Sequence, residues 1–195
     1  MNLNCLGINS KNSDMGIYIG CVFKNDFQNR KDKEATIAYL KKAMDILKDH
    51  YALSPNDIWL DIDDEDDRFS IEADSDALKD LQWISLCGGA WCVELSQKYE
   101  MLFHSDQDYL DMLKGIASVL GAKEMWICDD IQIWRGNFWI YNQNFSAWIN
   151  YLEKQGFDMN KEYPSVGVLE TYDNNRRVCL SNIPVYHVSL SPSGL

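Results

Sequence analysis

Carboxylates are the side chains that this sequence concentrates most strongly. Residues 53–80 hold eleven Asp and Glu against two Lys and Arg, a net charge of -9, and residues 81–130 hold eight against three, a net charge of -5. Together these two segments carry -14 in a chain whose total is -12. Carboxylates at this density could ligate a divalent cation, form a general acid and base pair, or bind a basic protein. They could equally form a solvated face that keeps the protein soluble.

A calcium-binding loop is one of these alternatives, because the carboxylates between residues 61 and 72 have part of the required spacing. Positions 1, 3, 5, 7 and 12 of such a loop fall on Asp61, Asp63, Glu65, Asp67 and Glu72. The loop needs a glycine at its sixth position, where this sequence has Asp66. The flanking residues predict strands, whereas a calcium loop of this kind lies between helices. The pattern therefore argues against the loop, and we predict no metal ligands.

The alternation of apolar and polar residues from 57 to 74 predicts a hairpin with residues 64–67 as its loop. The opposed pairs are then Trp59 with Glu72, Asp61 with Ser70, and Asp63 with Arg68. One face is apolar and predicted to be buried, and it comprises Ile58, Leu60, Ile62, Phe69, Ile71 and Ala73. The other face gathers Trp59, Asp61, Asp63, Glu72 and Asp74. Since clustered like charges oppose folding, a positive partner would compensate this face.

A tryptophan beside carboxylates supplies apolar area together with hydrogen-bond acceptors, the mixture expected where a few residues dominate protein binding. A second aromatic and acidic stretch begins at Trp126 and could extend the same surface. Charge is screened over about 8 Å at physiological salt, so the surface would act on a partner that is already close. The predicted partner-binding residues are Trp59, Asp61, Asp63, Asp64, Glu65, Asp66, Asp67, Glu72, Asp74, Trp126, Asp129 and Asp130.

No catalytic motif accompanies the carboxylates. His50, His104 and His187 have no ligand or triad spacing to another residue, and structural roles are the simpler interpretation. Gly88 and Gly89 precede a strand pattern, so they predict a turn and not a phosphate-binding loop. A carboxylate pair of the glycosidase kind stays open, although the sequence gives no pair priority. We therefore predict no catalytic residues and no cofactor.

The composition is that of one soluble domain. Its 195 residues, 46% of them hydrophobic, supply a core, and 11 Gly and 4 Pro exclude collagen-like and low-complexity classes. A net charge of -12 argues against binding nucleic acid, since each phosphate contact needs a cation. The polar N-terminus has no apolar run of signal-peptide or membrane-span length. The six cysteines lie mostly in apolar stretches without paired spacing, which favours buried thiols in a reducing cytoplasm.

Three amphipathic helices and several strands must position these residues. Helices are predicted over 32–52, from the capping box at 105–108 to Gly121, and from Asn144 to Gly156. Their irregular interleaving with strands favours a single α+β domain over 1–188 with a mixed or mainly antiparallel sheet. Residues 189–195, with a proline and a glycine, predict a loose tail. The predicted strands cover 16–23, 57–63, 68–73, 82–87, 90–95, 99–103, 123–128 and 167–172.

In size, charge and the acidic stretches at 57–74 and 126–130, the chain resembles the small, acidic, cytosolic α+β immunity proteins of bacterial polymorphic toxin systems. The resemblance implies a non-enzymatic inhibitor that presents carboxylates to a basic toxin and blocks its active site. Two alternatives remain. One is a divalent-metal or carboxylate-dependent hydrolase that uses the same acids. The other is a homo-oligomer whose aromatic segment at 137–142 forms the interface, and the sequence does not determine the oligomeric state.

Overall fold

The computed structural model of the protein describes residues 19–27, 32–63, 68–74, 78, 81–87, 89–95, 106–129, 145–163 and 185–190. The strands predicted at 99–103 and 167–172 lie outside this part of the chain. In chain order, the described elements are β1 Ile19–Lys24, α1 Lys33–Tyr51, β2 Ile58–Asp63, β3 Arg68–Ala73, β4 Leu81–Cys87, β5 Ala90–Leu95, α2 Asp106–Val119, β6 Glu124–Asp129, α3 Phe145–Lys154 and β7 Tyr186–Ser189.

The seven strands form one sheet in the order β2-β3-β4-β5-β1-β6-β7. Every neighbouring pair in this order is antiparallel. Strands β2 to β5 form a meander, and only two residues separate β4 from β5, where Cys87 opposes Ala90 and Gly89 has a φ of 84°. That glycine conformation suits the predicted turn, because L-residues rarely adopt a positive φ. The prediction of an α+β domain with a mainly antiparallel sheet is confirmed.

Helices pack on both faces of the sheet. On the first face, helices α1 and α2 pack over the strands around fully buried Leu40, Leu47, Ile71, Leu113 and Ile116. On the second face, α3 packs over β1 and β6, with Trp148 and Leu152 against Val22, Cys92 and Trp126. The apolar run in β6 is consistent with burial on both sides, since one face of the strand meets each helix layer.

The ends of the helices follow the predicted signals. Asp32 precedes α1, and its carboxylate accepts a hydrogen bond from the N–H of Ala35 at 3.0 Å. Gly121 and Gly156 follow α2 and α3 with φ values of 84° and 92°, the left-handed conformation that ends many helices. The buried residues of α1 are Thr36, Leu40, Ala43 and Leu47. The spacing of three and four residues predicts that Ile37, Leu40, Met44, Leu47 and Tyr51 face the core. Leu40 and Leu47 are fully buried, as predicted, whereas Ile37, Met44 and Tyr51 are half-buried and the smaller Thr36 and Ala43 face the sheet.

The C-terminal edge of the sheet extends into the segment predicted to be a tail. Strand β7 was not among the predicted strands, although residues 185–188 alternate in polarity. It includes Ser189, and the N–H of Leu190 donates to the carbonyl oxygen of Lys123 at 2.9 Å. The segment predicted to be loose thus begins inside the sheet, while residues 191–195 lie outside the described part of the chain.

Three of the cysteines lie inside the packed layers. Cys21, Cys92 and Cys128 are exposed by no more than 3% and are thiols, not disulfides. Burial raises the pKa of the Cys21 thiol above its ordinary value, because desolvation disfavours the thiolate. The prediction of buried thiols is confirmed for these three residues, and Cys5 and Cys179 lie outside the described segments.

Replacing Ala52 with glycine is expected to stabilise the protein by about 0.5–1 kcal/mol. Ala52 ends α1 with φ 52° and ψ 41°, and its N–H donates to the Lys48 carbonyl oxygen. A left-handed conformation costs an L-residue roughly 1–2 kcal/mol, which exceeds the entropy that glycine loses on folding. Urea denaturation measures the change. Ala38→Gly, within the exposed face of the same helix, is the control and is expected to destabilise by about 1 kcal/mol. Equal destabilisation by both variants would contradict the prediction.

Candidate functional site

The acidic hairpin, defined as β2 and β3 with residues 64–67 between them, occupies one edge of the sheet, because β2 is the first strand in the order. Trp59 opposes Glu72, Asp61 opposes Ser70, and Asp63 opposes Arg68. All three predicted pairs are confirmed. Ile58, Ile71 and Ala73 are buried on the α1 face, as predicted, whereas Ile62 at the end of the strand is 38% exposed.

Trp59 and Glu72 form a fixed pair on the opposite face of this hairpin. The indole Nε1 of Trp59 donates a hydrogen bond to Oε2 of Glu72 at 3.1 Å, in an exposed position. The indole is 41% exposed, more than any other large apolar side chain identified as exposed in the described part of the chain. Its orientation is held by the carboxylate, so part of the entropy of ordering it on binding is already lost.

Two carboxylates of this face, Asp61 and Glu72, lie beside the indole of Trp59. Asp61 is exposed and lies opposite the hydroxyl residue Ser70. Among the cations whose side chains the structure describes, none forms an ion pair with Asp61 or Glu72. Within this part of the chain, two negative charges therefore flank a half-exposed tryptophan without a cationic partner.

The remaining predicted residues of the hairpin are only partly placed. Asp63 ends β2, and Asp74 follows β3 in an exposed position, where its N–H donates to the carbonyl oxygen of Asp57 at 2.9 Å. Asp64, Glu65, Asp66 and Asp67 lie outside the described part of the chain. Since Asp61 and Glu72 both lie in strands, the flanks of the calcium-loop pattern are strands, as predicted.

Trp126 does not extend this surface, contrary to the expectation from the sequence. It is 8% exposed, and its Nε1 donates to the carbonyl oxygen of Met159 at 2.9 Å within the α3 core. Asp129, which ends the same strand, opposes Ile19 of β1, and Asp130 lies outside the described residues. One row of opposed residues crosses the sheet from Asp61 through Ser70, Ser85, Cys92 and Val22 to Trp126. Four strands thus lie between β2 and β6, which corresponds to about 24 Å.

A shallow groove that the sequence did not predict lies beside α3. It has a volume of about 410 Å³ and an aromatic floor formed by Trp126 and Phe145, whose ring centroids are 5.0 Å apart. Glu153 is the one ionisable residue among those that line it. Phe145, Ile149 and Glu153 are spaced four residues apart on one face of α3, and this spacing was the sequence signal for the groove. The other lining residues are Ser146, Asn150, Met159 and Asn160.

The histidines with described side chains, His50 and His187, contact neighbouring side chains. His50 packs its ring edge against Tyr51 at 4.7 Å near the end of α1. His187 lies 3.1 Å from a carboxylate oxygen of Glu124 and 5.1 Å from the Trp126 ring. No group of three or more His, Cys, Asp or Glu capable of holding a metal ion occurs among the residues that the structure describes.

The fold and this edge together define an α+β protein with an acidic, aromatic hairpin at one border of an antiparallel sheet. Comparison with family models, with curated proteins and with solved structures finds no match to this chain. Within the described segments, no helix has the length and apolar character needed to span a membrane.

Proposed function

We propose that this protein is a non-enzymatic binding protein of the immunity type, an acidic inhibitor that docks on a basic partner, such as a bacterial toxin domain, and blocks it. The observation that carries the proposal is the half-exposed Trp59 between two carboxylates, Asp61 and Glu72, that lack a described cation. The partner is a protein with Lys and Arg around an apolar contact, and its encounter with the inhibitor takes place in the cytoplasm.

Apolar burial and charge contribute differently to such a complex. Covering the exposed part of Trp59, roughly 100 Å² of an indole, would contribute about 2 kcal/mol to binding. The carboxylates contribute mainly to the association rate and to the choice of partner, because like-charged proteins are repelled and basic ones are attracted. The combination predicts binding that weakens as the salt concentration rises.

The experiment compares two variants that remove the same charge from different places. Asp61→Asn with Glu72→Gln removes two charges from the hairpin, and Asp45→Asn with Asp49→Asn removes two from the exposed face of α1. Basic proteins captured on the wild-type protein, and those encoded beside it in its genome, are purified and titrated at 50, 150 and 500 mM salt. We expect the hairpin variant to lose at least tenfold in affinity and to show a flatter salt dependence, while the α1 variant binds within threefold of wild type.

Equal affinities and equal salt dependence for the two variants would overturn the proposal and leave the hairpin as a solvated face. Calorimetric titration with calcium, magnesium and manganese tests the hydrolase alternative separately, since an inhibitor of this kind needs no stoichiometric metal. One-to-one binding of any of these ions that is lost in Asp61→Asn would favour the hydrolase. The alternative of a homo-oligomer through residues 137–142 concerns a segment outside the described part of the chain, and light scattering of the purified protein tests it.

A further inference from the structure

The two edges of the sheet differ in what lies outside them. At β7, the N–H of His187 donates to the carbonyl oxygen of Lys161 at 2.7 Å, and its carbonyl oxygen accepts from the N–H of Tyr163 at 3.3 Å. Residues 161–163 therefore cover this edge with a short parallel bridge. At β2, no further strand is paired within the part of the chain that the structure describes. An added strand would find backbone donors and acceptors at β2.

The register of the acidic hairpin identifies which backbone groups of β2 point outward. The N–H of Asp74 donates to the carbonyl oxygen of Asp57 at 2.9 Å, which marks these opposed residues as a hydrogen-bonded pair. Such pairs alternate along an antiparallel ladder, so Trp59 and Asp61 also direct their backbone groups toward β3. The N–H and C=O groups of the alternate residues, Leu60 and Ile62, point away from β3 toward the open side of β2.

The side chains along β2 specify the chemistry of a strand that could pair there. Trp59 and Asp61 lie on one face with the carboxylate of Glu72, and Leu60 and the half-exposed Ile62 lie on the other. A second copy of this chain would place its own acidic strand against Asp61, and like charges directly opposed are destabilising. A strand that alternates cationic and apolar residues complements both faces. The net charge of -9 in residues 53–80 also favours a cationic strand at this edge.

We propose that β2 binds an extended cationic segment of the partner as an added antiparallel strand, with Lys or Arg opposite Trp59 and Asp61 and apolar residues opposite Leu60 and Ile62. The antiparallel direction follows that of every ladder between neighbouring strands of this sheet. Residues opposite Trp59 and Asp61 then occupy non-hydrogen-bonded positions, where side chains approach most closely. This inference rests on the proposed function and specifies how the basic partner is bound.

The test uses three synthetic octapeptides with identical side chains and charge, in which Lys and Val alternate. The first is unmodified, the second carries N-methyl groups on the Val amides, and the third carries them on the Lys amides. In the proposed complex the Val residues lie opposite Leu60 and Ile62, so their N–H groups point to β2 while those of Lys point to solvent. Fluorescence anisotropy of the labelled peptides measures their affinity for the full-length protein.

We expect methylation of Val to weaken binding at least tenfold and methylation of Lys to change it less than threefold. Strand addition would be overturned if all three peptides bound the wild-type protein equally and none bound the Asp61→Asn with Glu72→Gln variant. That result would leave docking on the acidic face intact. A different result would overturn both strand addition and the proposed function. In that result, none of the peptides binds, and the Asp61→Asn with Glu72→Gln variant binds the captured basic protein as tightly as the wild type does. A greater loss on methylating Lys than on methylating Val would overturn the antiparallel arrangement.

Hydrogen exchange of the protein gives a second readout that electrostatic docking would not reproduce. On adding the unmodified peptide, we expect the amides of Leu60 and Ile62 to exchange at least tenfold more slowly, while those of Trp59 and Asp61, already directed to β3, change little. Ile62→Pro removes one outward N–H at a position where an edge strand tolerates proline, and Ile62→Ala keeps it. We expect only the proline variant to lose tenfold in peptide affinity. Unchanged exchange at Leu60 and Ile62 with the peptide bound would overturn the proposal.

Discussion

Alanine in place of Trp91 is expected to lower the free energy of unfolding by about 3–5 kcal/mol. Trp91 is 1% exposed and lies in β5, which is paired on both sides, by β4 and by β1. Its ring stacks on Tyr39 of α1 at 5.6 Å, and Tyr39 stacks on Phe27 at 4.7 Å, so the truncation removes the sheet end of an aromatic stack between sheet and helix. Chemical denaturation followed by circular dichroism, with the slope compared between variants, measures the loss.

Trp59→Ala is the matched control for this prediction. Trp59 is 41% exposed and makes one exposed hydrogen bond to Glu72, so its truncation is expected to cost about 1 kcal/mol or less. A tryptophan that contributes little to stability and much to binding fits an anchor residue. Comparable destabilisation by the two substitutions would mean that Trp59 is part of the core and would remove it from the proposed docking surface.

Valine in place of Gly115 is expected to cost about 1–3 kcal/mol because it overpacks the contact between α1 and α2. A Cβ atom at Gly115 would lie 2.8 Å from the hydroxyl oxygen of Tyr51, closer than these atoms can approach. Burial raises the pKa of the Tyr51 hydroxyl, which is consistent with its enclosed position. A double-mutant cycle with Tyr51→Ala measures the effect by thermal and urea denaturation.

In the Tyr51→Ala background, the space left by the ring is expected to accept the valine side chain, so the same substitution should cost at least 1 kcal/mol less than in wild type. The gain in helix propensity on replacing glycine is the same in both backgrounds and cancels in the cycle. An equal cost in the two backgrounds would show that the steric contact with Tyr51 does not limit the residue at position 115.

The sequence was sufficient to predict the register of the acidic hairpin, because two physical constraints agree there. Alternation places Ile58 and Ile71 on one face, and a four-residue loop then leaves only one pairing that keeps both buried. The ends of α2 and α3 were predictable from Gly121 and Gly156. The reason is again local, because a positive φ at the end of a helix favours a residue without Cβ.

The sequence was insufficient to predict features that depend on which strands become neighbours in the sheet. Trp126 and Trp59 each stand beside carboxylates, but alternation does not reveal how many strands separate them. One signal was available, since Trp126 lies in an uninterrupted apolar run with Met125 and Ile127, which is typical of a strand buried on both faces. The buried face of α1 was predicted correctly at Leu40 and Leu47, but Thr36 and Ala43 are buried in place of Ile37 and Met44 because, although less apolar, they are small enough to approach the sheet.

The position of β1 in the sheet has a consequence for the time course of folding. It precedes every other described strand in the chain, yet it pairs with β5 and β6, and Val22 opposes Trp126 from more than a hundred residues away. The meander of β2 to β5 needs only local contacts and can form early, whereas β1 must wait until β6 has been synthesised to bury both of its sides. We expect slow folding, limited by the enclosure of this early strand between β5 and β6.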